Sequence, residues 1–356
     1  MKLTILSRYS RLGASSRLRT LQYATRLEQA GFAVTVDSLF GDGYLQSLYS
    51  GRRCKRTILR SLLSRWGRCR TARDADVIWL EKEALPWLPW GVERLALPRG
   101  VPIVSDFDDA IFHNYDLHES PLVRRVLGEK IDRVMAHSAL VTAGNSYLAE
   151  RARRAGARRI EIVPSVVDAE AYQPAPARET DSTPRIGWIG TPQTWARYGE
   201  PRLAFFQEIA RSQGLRFHLV GARLDAVSDG LFDFVPWSEA GEIAAIQDMD
   251  IGIMPLDCSP WEQGKCGYKL IQYMACGLPV VASPVGANTE IVTHGETGFM
   301  ASSEAEWRDA LVTLAEDPDL RRKMGKAGRQ RVLENYSIQA QGDRVADFLA
   351  EVVNSS

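Results

Sequence analysis

The sequence predicts an α/β protein built from two successive Rossmann-like domains, each around a parallel sheet. Three observations carry this expectation. Short runs of β-formers alternate with amphipathic helical stretches, a proline-punctuated polar segment interrupts the alternation midway, and the alternation then restarts. A chain of 356 residues is also too long for one ordinary core and suits two.

Lys2–Ser7 is the first β-rich run. A polar loop and a helical pattern through Leu18, Leu21, Ala24 and Leu27 follow it, Gly31 closes the helix, and Phe32–Val36 begins a second strand. Strand, loop, helix, strand is a βαβ opening, which implies parallel pairing. Val77–Leu80, Val101–Val104, Leu140–Ala143 and Ile160–Val163 continue the series. Residues 173–183 hold Pro174 and Pro176 among polar residues without hydrophobic period and read as a linker between domains 1–172 and 184–337. Beyond it, Arg185–Ile189, Phe217–Val220, Phe232–Val235, Ile251–Met254 and Val280–Ala282 are strand candidates, and the tail from Asp319 to Val353 is helical and charged. Ligands of such sheets sit beyond the carboxyl ends of the strands.

Composition narrows the function class. Hydrophobic residues make up 45% and charged residues 25%, with zero net charge, so no global electrostatic case for nucleic acid exists. The cysteines at 54, 69, 258, 266 and 276 form no C-x-x-C pair and read as reduced thiols. The N-terminus places a strand where a signal peptide would have its apolar region, and no run approaches a membrane span. The expectation is a cytoplasmic protein, at most peripheral to the membrane. Between Arg52 and Arg73 stand nine basic residues and no acidic one, interleaved with Ile58, Leu59, Leu62, Leu63 and Trp66. That pattern is a basic amphipathic helix suited to an anionic membrane surface; a solvated basic face is the competing reading.

The most informative stretch is Trp261–Val285, WEQGKCGYKLIQYMACGLPVVASPV. Tyr268, Ile271, Met274 and Ala275 recur at helical spacing, so a helix runs from about Tyr268 to Cys276, Gly277 stops it, and Val280–Ala282 is a buried strand. The start of that helix offers unpaired N–H groups and a positive dipole end, with Lys265 and Lys269 beside it, which is a place to hold phosphate.

Tyr273-Met274-Ala275-Cys276-Gly277-Leu278-Pro279-Val280-Val281 resembles the nucleotide-sugar segment of the retaining GT-B glycosyltransferases of family 4, also called group 1. That family reads E-x7-E before this run, and the chain carries Gly264 and Gln272 where the two glutamates would fall. Val163–Pro174 is similar to the family's closing strand of the first domain, with Ser165-Val166 in place of the common Asn-Gly. The resemblance implies two Rossmann-like domains facing across a cleft and a final helix, about 338–356, crossing back to the first. It implies a nucleotide-sugar as donor substrate, no cofactor and no metal.

The resemblance also distributes roles. On the donor side, Lys265 neutralises the diphosphate, Gly267 lets the backbone approach, Lys269 adds charge and Gln272 meets the ribose. The loop from Gly190 through Thr191 to Arg197 is the second phosphate element, Trp237 after Pro236 frames the base, and Glu290 meets the sugar or caps the following helix. On the acceptor side stand the loop Gly13, Ala14, Ser15 and Arg17, with Ser15 or Ser16 a natural N-cap, and the run Asp106-Phe107-Asp108-Asp109 with His113. Asp106 or Asp108 is the expected hydrogen-bond partner of the acceptor hydroxyl; a D-x-D metal site and simple helix capping are the alternatives. With Lys265 they complete the expected catalytic set. The implied activity is a hexosyl transfer with retention onto a glycan or polyprenyl-linked glycan, in surface polysaccharide assembly. A catalytically silent nucleotide- or glycan-binding protein and a GT-B-shaped epimerase stay open. A nicotinamide oxidoreductase does not, since no G-x-G-x-x-G follows a strand.

Overall fold

The computed structural model describes residues 1–49, 55–175, 183–223 and 230–355. The chain divides into two compact units. The first comprises Met1–Ser165, Gln263–Cys266 and Gln341–Ser356, and the second Val166–Glu262 and Gly267–Ala340.

The first unit holds a six-stranded sheet of β1 (Lys2–Tyr9), β2 (Ala33–Phe40), β3 (Val77–Glu81), β4 (Ile103–Phe107), β5 (Leu140–Ala143) and β6 (Ile160–Ile162). Every pairing is parallel and the order is β2-β1-β3-β4-β5-β6. β3, β4 and β5 are buried at every residue, which is why they read as continuous runs without alternation. The order reverses between β1 and β3, so the ligand crevice of this sheet lies at the carboxyl ends of those two strands.

The second unit repeats the architecture with β7 (Arg185–Ile189), β8 (Arg216–Val220), β9 (Phe232–Val235), β10 (Ile251–Met254), β11 (Val280–Ala282) and β12 (Gly298–Met300). Its order, β12-β11-β10-β7-β8-β9, is the doubly wound Rossmann arrangement, with the switch between β7 and β10. The helix Tyr268–Ala275 is buried on most of its surface and is tied to the sheet by Tyr273, whose hydroxyl accepts from Ile189 N–H at 2.9 Å.

Several sequence expectations shift. The fourth strand starts after Pro102 and runs through Phe107, so Asp106 lies inside β4 rather than beyond it. The expected helix through Leu18–Leu27 is broken into Ala14–Arg19, a 3₁₀ turn at Leu21–Tyr23 and Ala24–Gln29. At the break, Thr20 turns its hydroxyl back onto Ser16 O, a bond that competes with the helix. Neither Ser15 nor Ser16 is the N-cap; Gly13 holds that position and the serines turn inward to Glu81. The charged tail is two helices, Pro318–Asn335 and Ile338–Asn354, and the second passes from one unit's residues into the other's at Gln341. The boundary at Ser165 precedes the proline-rich stretch because Val167 and Tyr172 are already buried in the second unit's core. Of that stretch, 176–182 lie outside the described residues, as do Arg52, Arg53 and Cys54.

The basic helix forms as Lys55–Thr71, with Leu62 and Trp66 packed on the core and Leu59 and Leu63 exposed. Arg65 is not part of its basic face. It is buried and donates to Ser7 O at 2.6 Å and Asp37 O at 2.8 Å, while Arg68 pairs with Asp37 at 2.7 Å.

Candidate functional site

In the second unit, β7 ends at Ile189 and Gly190 continues the ladder through its N–H to Val220 O. Thr191 caps the next helix, Pro192–Tyr198, accepting from Thr194 N–H at 3.3 Å. Lys269 lies with its ammonium 5.1 Å from the centroid of the Trp188 ring, a cation–π placement beside this loop. Gly267 precedes the helix Tyr268–Ala275 with φ 62, and a β-carbon there would meet Ile291 Cδ1 at 2.3 Å. Both the left-handed backbone and the close packing therefore require glycine. No side chain caps this helix, and its start carries the positive end of the helix dipole.

Arg197, expected to grip phosphate, instead pairs with the fully buried Glu262 at 2.7 Å. Glu262 also accepts from Tyr198 OH at 2.5 Å and from Ser259. It is thereby a structural anchor for this segment, and the pairing blunts the charge of Arg197. Gln272 is buried, and its amide donates to Tyr172 OH at 2.9 Å. Tyr172 donates in turn to Glu242 at 2.6 Å, and Glu242 also receives the indole N–H of the half-exposed Trp237 at 2.9 Å. Burial holds the Tyr172 hydroxyl far above its ordinary pKa and Glu242 adds to the effect, so it stays a neutral donor. The chain Gln272–Tyr172–Glu242–Trp237 thus links two residues that the sequence placed separately on the donor side. Glu290 sits in the short helix Asn288–Ile291, where its carbonyl accepts from Arg331 and Tyr336.

The first unit concentrates charge at its switch point. Glu81, the last residue of β3, is fully buried and accepts from Arg8 N–H at 2.8 Å and Ser16 Oγ at 2.5 Å. Lys82 follows with φ 64, and its N–H donates to Asp106 O at 2.9 Å. A left-handed backbone costs a non-glycine residue about 1–3 kcal/mol. The Lys82 ammonium lies 2.7 Å from Asp108 Oδ1, 2.9 Å from Ser15 Oγ and 3.9 Å from Asp109 Oδ2. Ser15 Oγ is within 2.9 Å of Glu81 and 2.8 Å of Asp108, and its one proton serves one carboxylate at a time.

The three aspartates differ sharply. Asp106, expected among the catalytic groups, is fully buried, with Arg19 across both oxygens at 2.6 and 3.0 Å and Thr142 Oγ1 at 2.6 Å. With both oxygens bonded and the side chain wholly enclosed, it is part of the scaffold. Asp108 is mostly buried; burial pushes its carboxyl up, but Lys82, Arg19 and Ser15 outweigh that and hold it below the usual range. Asp109 keeps about a third of its side chain exposed. Burial and the neighbouring Asp108 push its carboxyl up against the pull of Lys82, Lys265 and Arg19. Among the described residues, no group of three or more His, Cys, Asp or Glu is placed to hold a metal ion.

Gly13 leads into the helix Ala14–Arg19, where Arg17 is buried and donates to Arg11 O at 3.3 Å. His113 is bound on both ring nitrogens, to Asp116 at 2.8 Å and Tyr147 OH at 2.8 Å. Although burial pushes the Asp116 carboxyl up, His113 and Arg151 hold it below its usual range. None of these contacts brings His113 to Asp106, Asp108 or Asp109.

The segment Gln263–Cys266 explains the missing glutamate. A β-carbon at Gly264 would lie 2.5 Å from Ala110 Cβ and 2.6 Å from its nitrogen, so no side chain fits. Asn145 fixes the segment by donating to Gln263 O and Lys265 O at 3.1 and 3.0 Å, and Cys266 donates to Asp108 O at 3.0 Å. Sequence reading missed Lys82, Glu81, Tyr172 and Glu242. The run Glu81-Lys82-Glu83 directly after four apolar residues was the available signal.

Residues 184–317 match the family model for glycosyl transferases group 1. The D-inositol 3-phosphate glycosyltransferase of Pseudarthrobacter chlorophenolicus is 29% identical over 58% of this chain and 54% of its own length. The phosphatidyl-myo-inositol mannosyltransferase of Mycobacterium leprae is 28% identical over 73% of this chain and 69% of its own. The chain spans about half the length of the first of these relatives. Among solved structures, the sucrose-phosphate synthase of Thermosynechococcus elongatus aligns over 100% of both chains with TM-score 0.73 at 15% identity. The Anabaena HepE protein, solved with UDP and glucose, aligns over 99% of this chain and 100% of its own with TM-score 0.70 at 16% identity. Residues 184–317 thus carry a glycosyl transferases group 1 domain, and the two-sheet architecture is the GT-B fold of these solved structures.

Proposed function

We propose that the protein transfers a sugar from a nucleotide-sugar to a hydroxyl of a glycan or lipid-linked glycan, with retention at the anomeric carbon. The observation that carries this is the family match over residues 184–317, which takes in the helix that starts after Gly267. The second unit supplies donor groups: the helix start, Gly190, Thr191, Lys269, Gln272, Trp237 and Glu290. The first supplies Lys265 and acceptor groups: Gly13, Ala14, Ser15, Arg17, Asp108 and Asp109. The bond from the anomeric carbon to the β-phosphate breaks as the acceptor oxygen bonds to that carbon on the same face. The acceptor proton passes to the departing phosphate. Lys265 and the helix N–H groups stabilise the leaving charge, which is electrostatic catalysis and needs no side-chain nucleophile. No cofactor or metal is part of this reading.

The test is a thermal-shift screen of UDP, GDP, dTDP and CMP and their common sugar conjugates, with and without EDTA. The expected outcome is stabilisation by one nucleotide series that survives EDTA, about 3 kcal/mol at a hundredfold excess over Kd. Stabilisation only with added divalent metal rejects the metal-free reading, and no shift at all rejects the donor site. One observation favours a second reading, a catalytically silent binder: the family glutamate has no room at Gly264. That reading expects a nucleotide shift without consumption of the nucleotide-sugar.

The acceptor class fits a membrane setting in surface polysaccharide assembly at the inner face. Two relatives carry inositol phosphate or phosphatidylinositol in their names. No helix of the described residues is long and apolar enough to cross a membrane. Contact is assigned to the helix Lys55–Thr71, where Leu59 and Leu63 are exposed among Arg56, Arg60 and Arg70. The protein should co-float with vesicles of phosphatidylcholine and phosphatidylglycerol, less at high salt. R56A/R60A should lower the bound fraction several-fold, since each surface cation contributes about 1 kcal/mol. Equal flotation of wild type and variant would sink the assignment.

A further inference from the structure

Lys82 and Trp87 are the two non-glycine residues with positive φ among the described residues, and they lie five apart on the loop that leaves β3. Backbone strain of this kind persists where the surroundings over-determine it, and it clusters at functional sites. The loop leaves the sheet at its switch point, where a ligand crevice is expected. The strained turn sends the Lys82 side chain inward, so a lysine that would otherwise reach solvent is buried.

The contacts of that lysine are unequal. Its ammonium touches Asp108 at 2.7 Å and Ser15 at 2.9 Å but stands off from Asp109 at 3.9 Å. Asp108 is spoken for on both sides, by Lys82 and by Ser15. Asp109 has no such close pair and is the more exposed of the two carboxylates. We propose that Lys82 is a positioning residue of the acceptor side: it locks Asp108 in place and governs the charge on Asp109, the carboxyl left open to a substrate hydroxyl. The inference rests on the acceptor-side reading of Asp109 given above.

The groups that face Asp109 are Asp108 on its own segment, Lys82 on the loop after β3, Lys265 on the segment Gln263–Cys266 and Arg19 on the helix Ala14–Arg19. Asp108 raises the carboxyl and the three cations lower it. Removing the Lys82 charge must therefore move the Asp109 titration to higher pH, and removing the Asp108 charge must move it lower.

The experiment titrates the aspartate carboxyl carbons of the full chain, labelled with carbon-13, by NMR, with D109N assigning the resonance. K82M should raise the Asp109 midpoint by at least about one pH unit. K82R, which keeps the charge, should restore the wild-type curve, a rescue that a purely steric role does not require. D108N should lower the midpoint and serves as the second arm where K82M fails to fold. An Asp109 midpoint unmoved in K82M, a K82R curve that follows K82M, or a D108N midpoint unmoved or raised would each overturn the proposal. The nucleotide screen reads donor binding, in which Lys82 is given no part. A failed donor reading and a failed Lys82 role are therefore seen separately.

Discussion

Replacing Lys130 with methionine should destabilise the first unit by about 3–5 kcal/mol, the cost of removing one partner from a buried ion pair. Lys130 stands on the helix Lys130–His137 with its side chain wholly buried, 2.6 Å from Glu83 and 3.0 Å from Glu93. Both carboxylates are buried too, and among the described residues the other cation paired with either is Arg8, 3.4 Å from Glu83. Two anions against two cations is a neutral pocket; K130M leaves two anions against one. Hydrogen bonds soften the loss but do not cancel it. Glu93 keeps the backbone N–H groups of Ala84 and Leu85, and Glu83 keeps the Tyr115 hydroxyl. Urea unfolding followed by a probe of the first unit should show the shift, together with a fall of about 10 °C in its melting. The double variant K130M/E93Q removes the excess charge and should recover part of the loss. A single variant within about 1 kcal/mol of wild type would mean that the pocket admits water and that the charges are not truly enclosed.

The same network shows where sequence reading stops. Leu140–Ala143, Arg185–Ile189, Ile251–Met254 and Val280–Ala282 form over the residues expected, because strands buried on both faces read as nearly continuous apolar runs; the edge strand Phe232–Val235 also forms where expected, though only its first residue is buried. The helix from Tyr268 was legible for the same reason: its apolar positions recur at helical spacing and glycines stand at both ends. Buried charge has no comparable signature. Arg19 and Arg65 look like solvated helix residues until Asp106 and Asp37 are found opposite them, across long separations in sequence. Asp106 looked like a free carboxylate because it stands beside Asp108 and Asp109, yet strand alternation turns it to Arg19. Gly264 is the reverse case. Its departure from the family pattern was visible in the sequence, but the cause, Ala110 against its α-carbon, is not local.

Replacing Lys265 with alanine should lower kcat by about 10²–10³ and change the donor KM far less, the pattern for a charge that acts mainly on the leaving group. The argument comes from how firmly this lysine is mounted. Its carbonyl and that of Gln263 are both held by the Asn145 amide, and Asn145 is itself buried as the N-cap of the helix Ser146–Arg154. One residue before Lys265, Gly264 packs against Ala110; one residue after, Cys266 sits in the core with its thiol on Asp108 O. A lysine on a mobile loop loses rotamer freedom when it binds an anion, whereas a backbone fixed on both sides lets more of the Coulombic gain appear in the transition state. Lys265 also acts on Asp109, whose carboxyl it pulls down. K265A should therefore move the acid limb of the kcat profile to higher pH as well as lowering its plateau. K265R should keep the limb in place, because the charge remains, and recover part of the rate. A K265A enzyme with a raised donor KM and unchanged kcat would assign the residue to ground-state binding alone and remove it from the catalytic set.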